Sequence, residues 1–370
     1  MSRAKKAKHQ VVFEALSRDI TSGRYRPGQK FPSEAALVNR FNVSRITAAR
    51  AVHDLQAQGL VERFAGSGTY VRGLDDGSRT GLVFGLIIPD LGTTEIFEPI
   101  CQGIASARQS AGHALLWPHA ISGIANAESQ ALQLCEQCIA RQVDGVFFAP
   151  VEMTAHSTEV NRQVVSALRK ANIPTVFLDR RPEGADERRQ EKASSPRDRG
   201  DLVSIDNQRA GFLATEHLLK CGARDIGFLA YPGQASSVAG RIAGYRQALD
   251  KAGQVFLVHN ISRVELPPAA ESCNAFVCAN DHIAGHVMQA LLEKRIRVPQ
   301  DVRIVGIDDV NYAALLPVPL TTVHQPCREI GETALQLLLD RIGHPRMPAR
   351  DVLLDCELVV RQSCGFRVTI

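Results

Sequence analysis

Short apolar runs alternate with helical patterns from residue 82 almost to the C-terminus, and this alternation constrains the fold most. Seven runs have the length of buried strands, at 82–88, 114–117, 145–148, 175–178, 226–230, 275–279 and 303–307. Apolar residues at helical spacing fill most of the stretches between them. The pattern predicts an α/β protein with parallel sheets that helices cover on both faces. Ligands of such sheets bind at the carboxyl ends of the strands.

The N-terminal residues carry a different charge from the rest of the chain. Residues 1–72 hold 13 Lys and Arg against 5 Asp and Glu, a net charge of +8, whereas the remaining residues have a net charge of −4. A basic head on a mildly acidic body favours nucleic-acid binding by the head, although a solvated basic terminus is the plainer alternative. No apolar run is long enough for a membrane helix, so we expect a cytoplasmic protein without membrane contact.

The head has the pattern of a winged helix-turn-helix. Apolar residues at helical spacing predict a first helix that Gly23 ends, and Ser33 and Ser44 are placed as N-caps of a second and a third helix. Ala48, Ala51, Val52 and Leu55 share the face of the third helix that should pack inward. Two short strand-like runs around a glycine turn at 66–68 then predict a hairpin in the position of a wing.

These elements resemble the GntR family of bacterial regulators over about residues 10–72. The resemblance rests on Pro32-Ser33-Glu34, on Val43-Ser44-Arg45 with Thr47, and on the run from Gly66 to Val71. The family's DNA contacts come from the second helix, the start of the third helix and the tip of the wing. The resemblance therefore implies DNA contacts by Ser33, Ser44, Arg45, Thr47, Arg50 and Gly66.

Polar residues follow several of the predicted strands of the body. Asp179-Arg180, Asn280-Asp281 and Asp308-Asp309 each come directly after, or at the end of, an apolar run. Carboxylates accept hydrogen bonds from hydroxyl groups, while amides and guanidinium groups donate them, so such a set suits a neutral polyhydroxyl ligand. Each residue taken singly is about as well explained as a helix cap or a turn former.

The body resembles the effector domain of the LacI/GalR repressors over about residues 82–363. Ala279-Asn280-Asp281, the run from Val298 to Asp309, and Leu320-Thr321-Thr322 carry the resemblance. It implies the fold of periplasmic sugar-binding proteins, in which three chain crossings join two lobes and the sugar binds in the cleft. Carried over to this sequence, the family's sugar contacts fall on Phe97, Asp179, Arg241, Asn280, Asp308 and Gln325.

The two resemblances together predict the domain organisation. We expect a winged helix-turn-helix at 1–72, a polar linker at 73–81, a two-lobed effector domain at 82–363 and a tail at 364–370. Lobe 1 is predicted at about 82–181 and 324–345, and lobe 2 at about 201–323 and 350–363. The highly charged stretch 183–200 is predicted to be a solvated loop between the lobes. One departure from the family is a short segment: a strand is predicted at 255–258, and only 16 residues separate it from the apolar run that begins at Ala275, which is little for a crossover helix and a strand.

A homodimeric transcriptional repressor of carbohydrate-utilisation genes is the function that these resemblances imply. Its partners would be double-stranded operator DNA and a sugar effector, a pentose such as arabinose being one candidate, and no cofactor is expected. The short 259–274 segment supports an alternative, a DNA-binding regulator that has lost or changed its response to small molecules. A sugar-modifying enzyme with a DNA-binding head is the remaining class, but the sequence has no phosphate loop, GxSxG elbow or dinucleotide fingerprint.

Cysteine and histidine spacings give no metal site. The nine cysteines are scattered, and Cys135 and Cys138 form a CxxC on a helical pattern without a second pair at zinc spacing. His282 and His286 stand four residues apart, but neither a following Glu nor a third ligand accompanies them. We therefore expect buried free thiols and no metal.

Overall fold

The computed structural model describes residues 8–21, 24–25, 29–57, 60–64, 68–71, 81–89, 95–117, 126–182, 200–232, 235–261 and 273–366. The chain divides into two compact units, Met1–Thr80 and Gly81–Ile370, which we call unit 1 and unit 2. In this described part of the chain, every helix is too short or too polar to span a bilayer.

Unit 1 consists of three helices and a two-stranded hairpin. Its elements are α1 (Lys8–Thr21), α2 (Glu34–Phe41), α3 (Arg45–Ala57), β1 (Val61–Phe64) and β2 (Gly68–Val71). The two strands pair antiparallel, with Val61 opposite Val71. The four residues predicted to face inward from the third helix, Ala48, Ala51, Val52 and Leu55, are all buried. They pack with apolar side chains of α1, α2 and the hairpin, so each amphipathic element contributes its apolar face to one small core.

Unit 2 contains two six-stranded sheets. The first has the order β13-β7-β6-β5-β3-β4 and is parallel throughout. Its strands, in chain order, are β3 (Val83–Ile87), β4 (Ala114–Leu116), β5 (Gly145–Phe148), β6 (Thr175–Leu178), β7 (Asp201–Ile205) and β13 (Asp351–Leu354). The four central strands of this sheet, β3, β5, β6 and β7, are almost entirely buried, as strands covered on both faces must be.

The second sheet has the order β14-β12-β11-β10-β8-β9. Its strands are β8 (Ile226–Ala230), β9 (Leu257–Asn260), β10 (Ala275–Cys278), β11 (Arg303–Asp308), β12 (Thr321–His324) and β14 (Glu357–Val359). All neighbours run parallel except β14, which pairs antiparallel with β12. The predicted class, α/β with two lobes of parallel sheet, is confirmed.

In the described residues of unit 2, seven α-helices cover the two sheets. They are α4 (Phe97–Ser106), α5 (Ala127–Ala140), α6 (Ser157–Lys170), α7 (Asn207–Lys220), α8 (Ser236–Lys251), α9 (Asp281–Glu293) and α10 (Cys327–Gly343). Glycines allow two helix pairs to approach closely. A Cβ on Gly211 of α7 would lie 1.9 Å from the carbonyl oxygen of Arg241 in α8, and one on Gly331 of α10 would lie 2.1 Å from that of Ile100 in α4.

The lobe boundaries differ from the prediction. Lobe 2 was predicted to begin near residue 201 and to resume at 350, but β7 and β13 belong to the first sheet, where Asp351 pairs with Leu202. The chain crosses into the second sheet only after Ile205, and it crosses again between β13 and β14. The error arose because the charged 183–200 stretch was interpreted as the connection between lobes, whereas β6 and β7 are parallel neighbours in one sheet.

The edge strand β9 also differs slightly from the sequence pattern. We predicted a strand at 255–258, but β9 begins at Leu257, and Val255 is 80% exposed. β9 and β10 both run parallel to β8, one on each side of it. The connection between them passes through 262–272, which lie outside the described residues, so the shortened crossover stays a prediction.

Candidate functional site

The start of α3 is fixed by a polar turn. The Ser44 hydroxyl accepts a hydrogen bond from the Thr47 amide at 3.3 Å, and the two hydroxyl groups lie 2.9 Å apart. Ser33 caps α2 in the same way, accepting from the Ala36 amide at 3.3 Å. Each hydroxyl satisfies a helix N–H group that has no partner within its helix. Both serines therefore have the capping role that the sequence predicted, and both are also exposed.

The outward face of α3 carries basic and apolar side chains. Arg45 is 83% exposed and lies 3.6 Å from a Glu34 carboxylate oxygen, and Arg50 is exposed one turn further along. Ile46, which the sequence analysis did not propose as a contact, is 82% exposed between them. An exposed large apolar residue on an otherwise polar helix face suits contact with a thymine methyl group. An exposed ion pair such as Arg45–Glu34 costs little to open, so Arg45 remains available to a phosphate or a base.

Another arginine of unit 1 is held by contacts within that unit. Arg40 forms an ion pair with Asp19 and donates to the Tyr25 hydroxyl at 2.8 Å, which ties α2 to α1. The hydrogen bond from Arg40 lowers the pKa of Asp19. This arginine therefore has a structural role that its charge alone did not reveal. The predicted wing contact, Gly66, lies outside the described residues.

Arg241 is the centre of the polar network of unit 2. It projects from α8, is 4% exposed, and its guanidinium donates to four oxygens. These are Asn207 Oδ1 at 2.9 Å, the Ala279 carbonyl at 2.5 Å, Asp308 Oδ1 at 3.1 Å and Gln325 Oε1 at 3.4 Å. The acceptors come from the start of α7 and from the carboxyl ends of β10, β11 and β12. The arginine thus gathers polar side chains at the sheet edge where ligands of parallel sheets bind.

The network continues into the first sheet through Gln325. Its amide donates to Asp179 Oδ1 at 3.4 Å, and both side chains are buried. Arg180 lies 2.6 Å from the other Asp179 oxygen and 2.5 Å from Glu152 Oε1. Asp179 follows β6 and Gln325 follows β12, so this chain of contacts joins the strand ends of both sheets. Four of the predicted effector residues, Arg241, Asp308, Gln325 and Asp179, are therefore brought together.

The carboxyl group of Asp308 has an unusual protonation equilibrium. Burial raises its pKa to about 7, the nearby Asp281 and Asp179 carboxylates act in the same direction, and Arg241 opposes them. Near neutral pH this group exchanges between an acceptor-only carboxylate and a protonated form that can also donate. A hydroxyl ligand can use either form.

The same aspartates lie on strained backbone. The φ angles are +66° at Asp179, +127° at Asp308 and +56° at Asp309, a region that residues other than glycine rarely occupy. Each residue held in this backbone region costs on the order of 1–3 kcal/mol of folding free energy. Strain of this kind concentrates at ligand sites, and here it coincides with two predicted effector residues.

Other residues at these strand ends have structural partners. Asn280 accepts from the Ile283 amide at 2.9 Å and so caps α9. Asp281 is fully buried and accepts from the Thr322 hydroxyl at 2.6 Å and the Val310 amide at 3.0 Å. The hydrogen bond with Asp309 raises the pKa of His324. The alternative left open for Asn280, a helix cap, thus describes its side-chain oxygen, while its role as a sugar contact stays a prediction.

A cavity of about 550 Å³ meets the network at Glu152, the partner of Arg180, and its lining residues include none of the predicted effector contacts. The loop after β5 (150–155) and the start of α6 line it together with Arg181, and Pro232 and Ala235 line it from the second sheet. Its size is ordinary for a site that holds a small molecule. No predicted effector residue lies on the loop after β5. The position of this loop at the carboxyl end of a strand was the signal that could have identified it.

Phe97 is placed differently from an exposed stacking platform. It is 3% exposed in the core at the start of α4, and the Arg180 guanidinium lies 5.8 Å from its ring centroid. The ring thus supports an arginine that itself holds Asp179. Its predicted stacking on a sugar stays a prediction.

The groups that converge in the network can exchange hydrogen bonds with a polar ligand. Amide, carboxylate and guanidinium groups converge there, and burial strongly raises the pKa of the Cys327 thiol, on which the Asp308 and Asp179 carboxylates act in the same direction. The CxxC thiols are similarly inert, because burial raises the pKa of Cys135 to about 11 and that of Cys138 to about 12.

Two family models match the chain. Residues 8–71 match the bacterial regulatory proteins of the gntR family, and residues 215–364 match the periplasmic binding protein-like domain. The first match covers the three helices and hairpin of unit 1, and the second covers α7 to the end of β14, including Arg241, Asp308 and Gln325.

Two repressors are similar to most of this chain. The arabinose metabolism transcriptional repressor of Geobacillus stearothermophilus is 26% identical over 366 residues, which cover 93% of this chain and 94% of that repressor. The ribose operon repressor of Escherichia coli strain K12 is 25% identical over 293 residues, 73% of this chain and 79% of that protein.

A solved structure gives the same picture for unit 2. The LacI family transcriptional regulator from Enterococcus faecium, crystallised with bound ribose, has a TM-score of 0.60 and 25% identity, covering 76% of this chain and 98% of its own. The chain combines a GntR-type helix-turn-helix domain with a periplasmic-binding-protein-like domain of the kind found in LacI-type regulators.

Proposed function

We propose that this protein is a DNA-binding transcriptional regulator that represses carbohydrate-utilisation genes and releases its operator when a sugar occupies the cleft of unit 2. The observation that carries the proposal is the Arg241-centred network. It places Asp308, Gln325 and Asp179 at strand ends of both sheets, beside a cavity of about 550 Å³. The named relatives, repressors of arabinose metabolism and of a ribose operon, support the same function.

Unit 1 supplies the DNA-binding surface of this proposal. In a homodimer, each α3 would enter a major groove of a pseudo-palindromic operator. Arg45 and Arg50 would contact phosphates or guanine edges, Ser44 and Thr47 would contact the backbone, and Ile46 would contact a thymine methyl group. The excess of Lys and Arg in residues 1–72 provides the electrostatic attraction to the duplex.

Unit 2 supplies the response to the sugar. Hydroxyl groups of a ligand would exchange hydrogen bonds with Asp179, Asp308 and Arg241, with the ring in the adjoining cavity. Because Gln325 connects the two lobes, ligand binding there would change how the lobes are held together. A pentose is the first candidate effector, since the arabinose repressor and the ribose-bound regulator are among the relatives.

The experiment is an operator-binding titration with and without sugars. Full-length protein is titrated by fluorescence anisotropy against DNA from its own promoter region and against shuffled DNA, at moderate salt, with arabinose, ribose, xylose and glucose in turn. We expect tighter binding to the promoter DNA and a loss of at least about tenfold with one sugar, a coupling of about 1.4 kcal/mol. Equal affinity for promoter and shuffled DNA would refute the proposal that the protein is a sequence-specific regulator.

A second candidate is a regulator that does not respond to sugars. The observation that favours it is the short 259–274 segment, which is brief for a crossover between β9 and β10. Calorimetry against pentoses and hexoses separates the two: specific promoter binding without heat from any sugar would favour this second candidate.

A further inference from the structure

One cluster of ligand-type side chains lies outside the cleft. His217 and Cys221 stand four residues apart at the C-terminal end of α7, and Cys364 follows β14 near the end of the described chain. One ligand atom of each residue lies within 4.8 Å of the others. Of the His, Cys, Asp and Glu residues that the structure describes, this is the one group of three so arranged.

We propose that His217, Cys221 and Cys364 bind a thiophilic metal ion, with Zn²⁺ as the first candidate. In tetrahedral zinc sites the Zn–S distance is about 2.3 Å and the Zn–N distance about 2.0 Å, so adjacent ligand atoms lie about 3.5–4 Å apart. The Cys221 sulfur lies 3.5 Å from His217 Nε2, which is a tetrahedral edge of this size. Two sulfur ligands and an imidazole favour Zn²⁺ or Cu⁺ over Mg²⁺ or Ca²⁺.

The backbone holds the ligands in place from both sides. Residues four apart on a helix share one face, which directs His217 and Cys221 the same way. Ser363, next to Cys364, is fully buried; its hydroxyl donates to the Ile304 carbonyl at 2.6 Å and accepts from the Thr321 amide at 2.8 Å. The third ligand is thus anchored to β11 and β12, and the site is assembled before any ion arrives.

Charge and access also suit such a site. Arg303 lies beside Gly365, its Nε atom 3.3 Å from the position of a Cβ there, and this buried Nε has no hydrogen-bond partner in the described part of the chain. This guanidinium places a positive charge beside Cys364, and a nearby cation balances part of the negative charge that two cysteine ligands bring to a metal site. Cys364 is fully buried, whereas Cys221 is partly exposed and gives the ion a path from solvent.

Three protein ligands set the expected affinity. Structural zinc sites use four, while three are typical of sites that keep a fourth position for an exchangeable ligand. We therefore expect an ion that a strong chelator removes while the protein remains folded. Cys135 and Cys138 offer a matched control, because they are two buried thiols of the same unit that lie outside this cluster.

The test is a metal titration of the reduced, untagged full-length chain. Co²⁺ serves as the spectroscopic probe, and Zn²⁺ is then added to displace it. We expect one equivalent of Co²⁺ to give a thiolate-to-cobalt charge-transfer band and tetrahedral d–d bands, both abolished by one equivalent of Zn²⁺. Cys221→Ser and Cys364→Ser should each weaken Zn²⁺ binding more than about tenfold, because loss of a ligand exceeds the usual effect of a second-sphere change.

The double variant Cys135→Ser/Cys138→Ser should bind like the wild type. Circular dichroism checks that every variant is folded, and a measurement on the wild type needs no variant: Zn²⁺ should slow modification of Cys221 by a thiol reagent, read by peptide mass spectrometry. Absence of cobalt bands, bands that persist in both single variants, or a Cys221–Cys364 disulfide in protein that takes up no metal would overturn the proposal.

Discussion

Replacing Arg241 by Met tests whether the cleft network is held by one buried cation. The side chain is 4% exposed and donates to Asn207, Ala279, Asp308 and Gln325. Met has a similar length, so the loss of free energy of unfolding reflects charge and hydrogen bonds more than a cavity. Removing one partner of a buried ion pair costs about 3–5 kcal/mol. Because Asp308 can take up a proton, we expect the lower end, about 3 kcal/mol.

The single tryptophan makes the assay specific for unit 2. Trp117 follows β4 directly, so its fluorescence during urea unfolding reports on the first sheet and not on unit 1. Arg297→Met is the matched control: Arg297 is 70% exposed and pairs at 2.6 Å with Asp301, four residues further along the chain. An exposed pair of this kind contributes little to stability, so this variant should lose far less free energy of unfolding than Arg241→Met. Equal losses in the two variants would refute the reasoning.

The pairing itself is tested by a double-mutant cycle. Asp308→Asn keeps the shape of the side chain but removes its charge, and combining it with Arg241→Met should recover part of the loss. For groups in one buried network we expect a coupling of about 1–3 kcal/mol. Strict additivity of the two changes would mean that the guanidinium and the carboxylate do not stabilise each other in the folded state.

Four further predictions concern the cleft, unit 1 and the packing of α7 on α8. Because the pKa of Asp308 is raised to about 7, its contribution to stability is present below pH 4 and lost as the pH rises through 7; Asp308→Asn should therefore flatten the fall in melting temperature between pH 5 and 8. Ser44→Ala should destabilise unit 1 by about 1 kcal/mol in thermal unfolding, and Arg50→Ala should lower the salt dependence of operator binding by about one ion. Gly211→Ala should cost more than about 2 kcal/mol, since its Cβ would lie 1.9 Å from a carbonyl oxygen of α8, while Gly343→Ala, with open space around it, should be neutral in the same urea titration.

The sequence predicted the positions of the secondary-structure elements well, but it predicted less well which strands share a sheet. Strands β5, β6 and β8 coincide with predicted apolar runs, because a buried parallel strand is an uninterrupted apolar run between polar ends. The lobe boundary was wrong, since no local signal distinguishes a loop that returns to the same sheet from one that crosses to another. β7 and β13 pair within the first sheet across a long stretch of chain, and only the tertiary structure shows this.

For the candidate sites too, the sequence predicted the local features, while only the tertiary structure shows which residues lie opposite one another. The strand-end rule placed Asp179 and Asp308 together, but it could not distinguish them from Asp281, whose oxygens are occupied by Thr322 and Val310. That distinction depends on which backbone amides lie opposite each carboxylate. The cluster of His217, Cys221 and Cys364 was missed for a related reason: its third member comes from the far end of unit 2, so no spacing in the sequence reveals it.

The charges of the cleft also restrict what can bind there. Asp179, Asp308 and Glu152 face the guanidinium groups of Arg241 and Arg180, and each carboxylate is already paired with one of them. An anionic ligand would have to break these pairs and leave a buried carboxylate without its cation, at a cost of several kcal/mol. A neutral polyol needs only to exchange hydrogen bonds with them. The pairing that stabilises the cleft therefore favours an uncharged sugar over an anionic one. We expect a panel of sugar phosphates to bind more weakly than the corresponding free sugars.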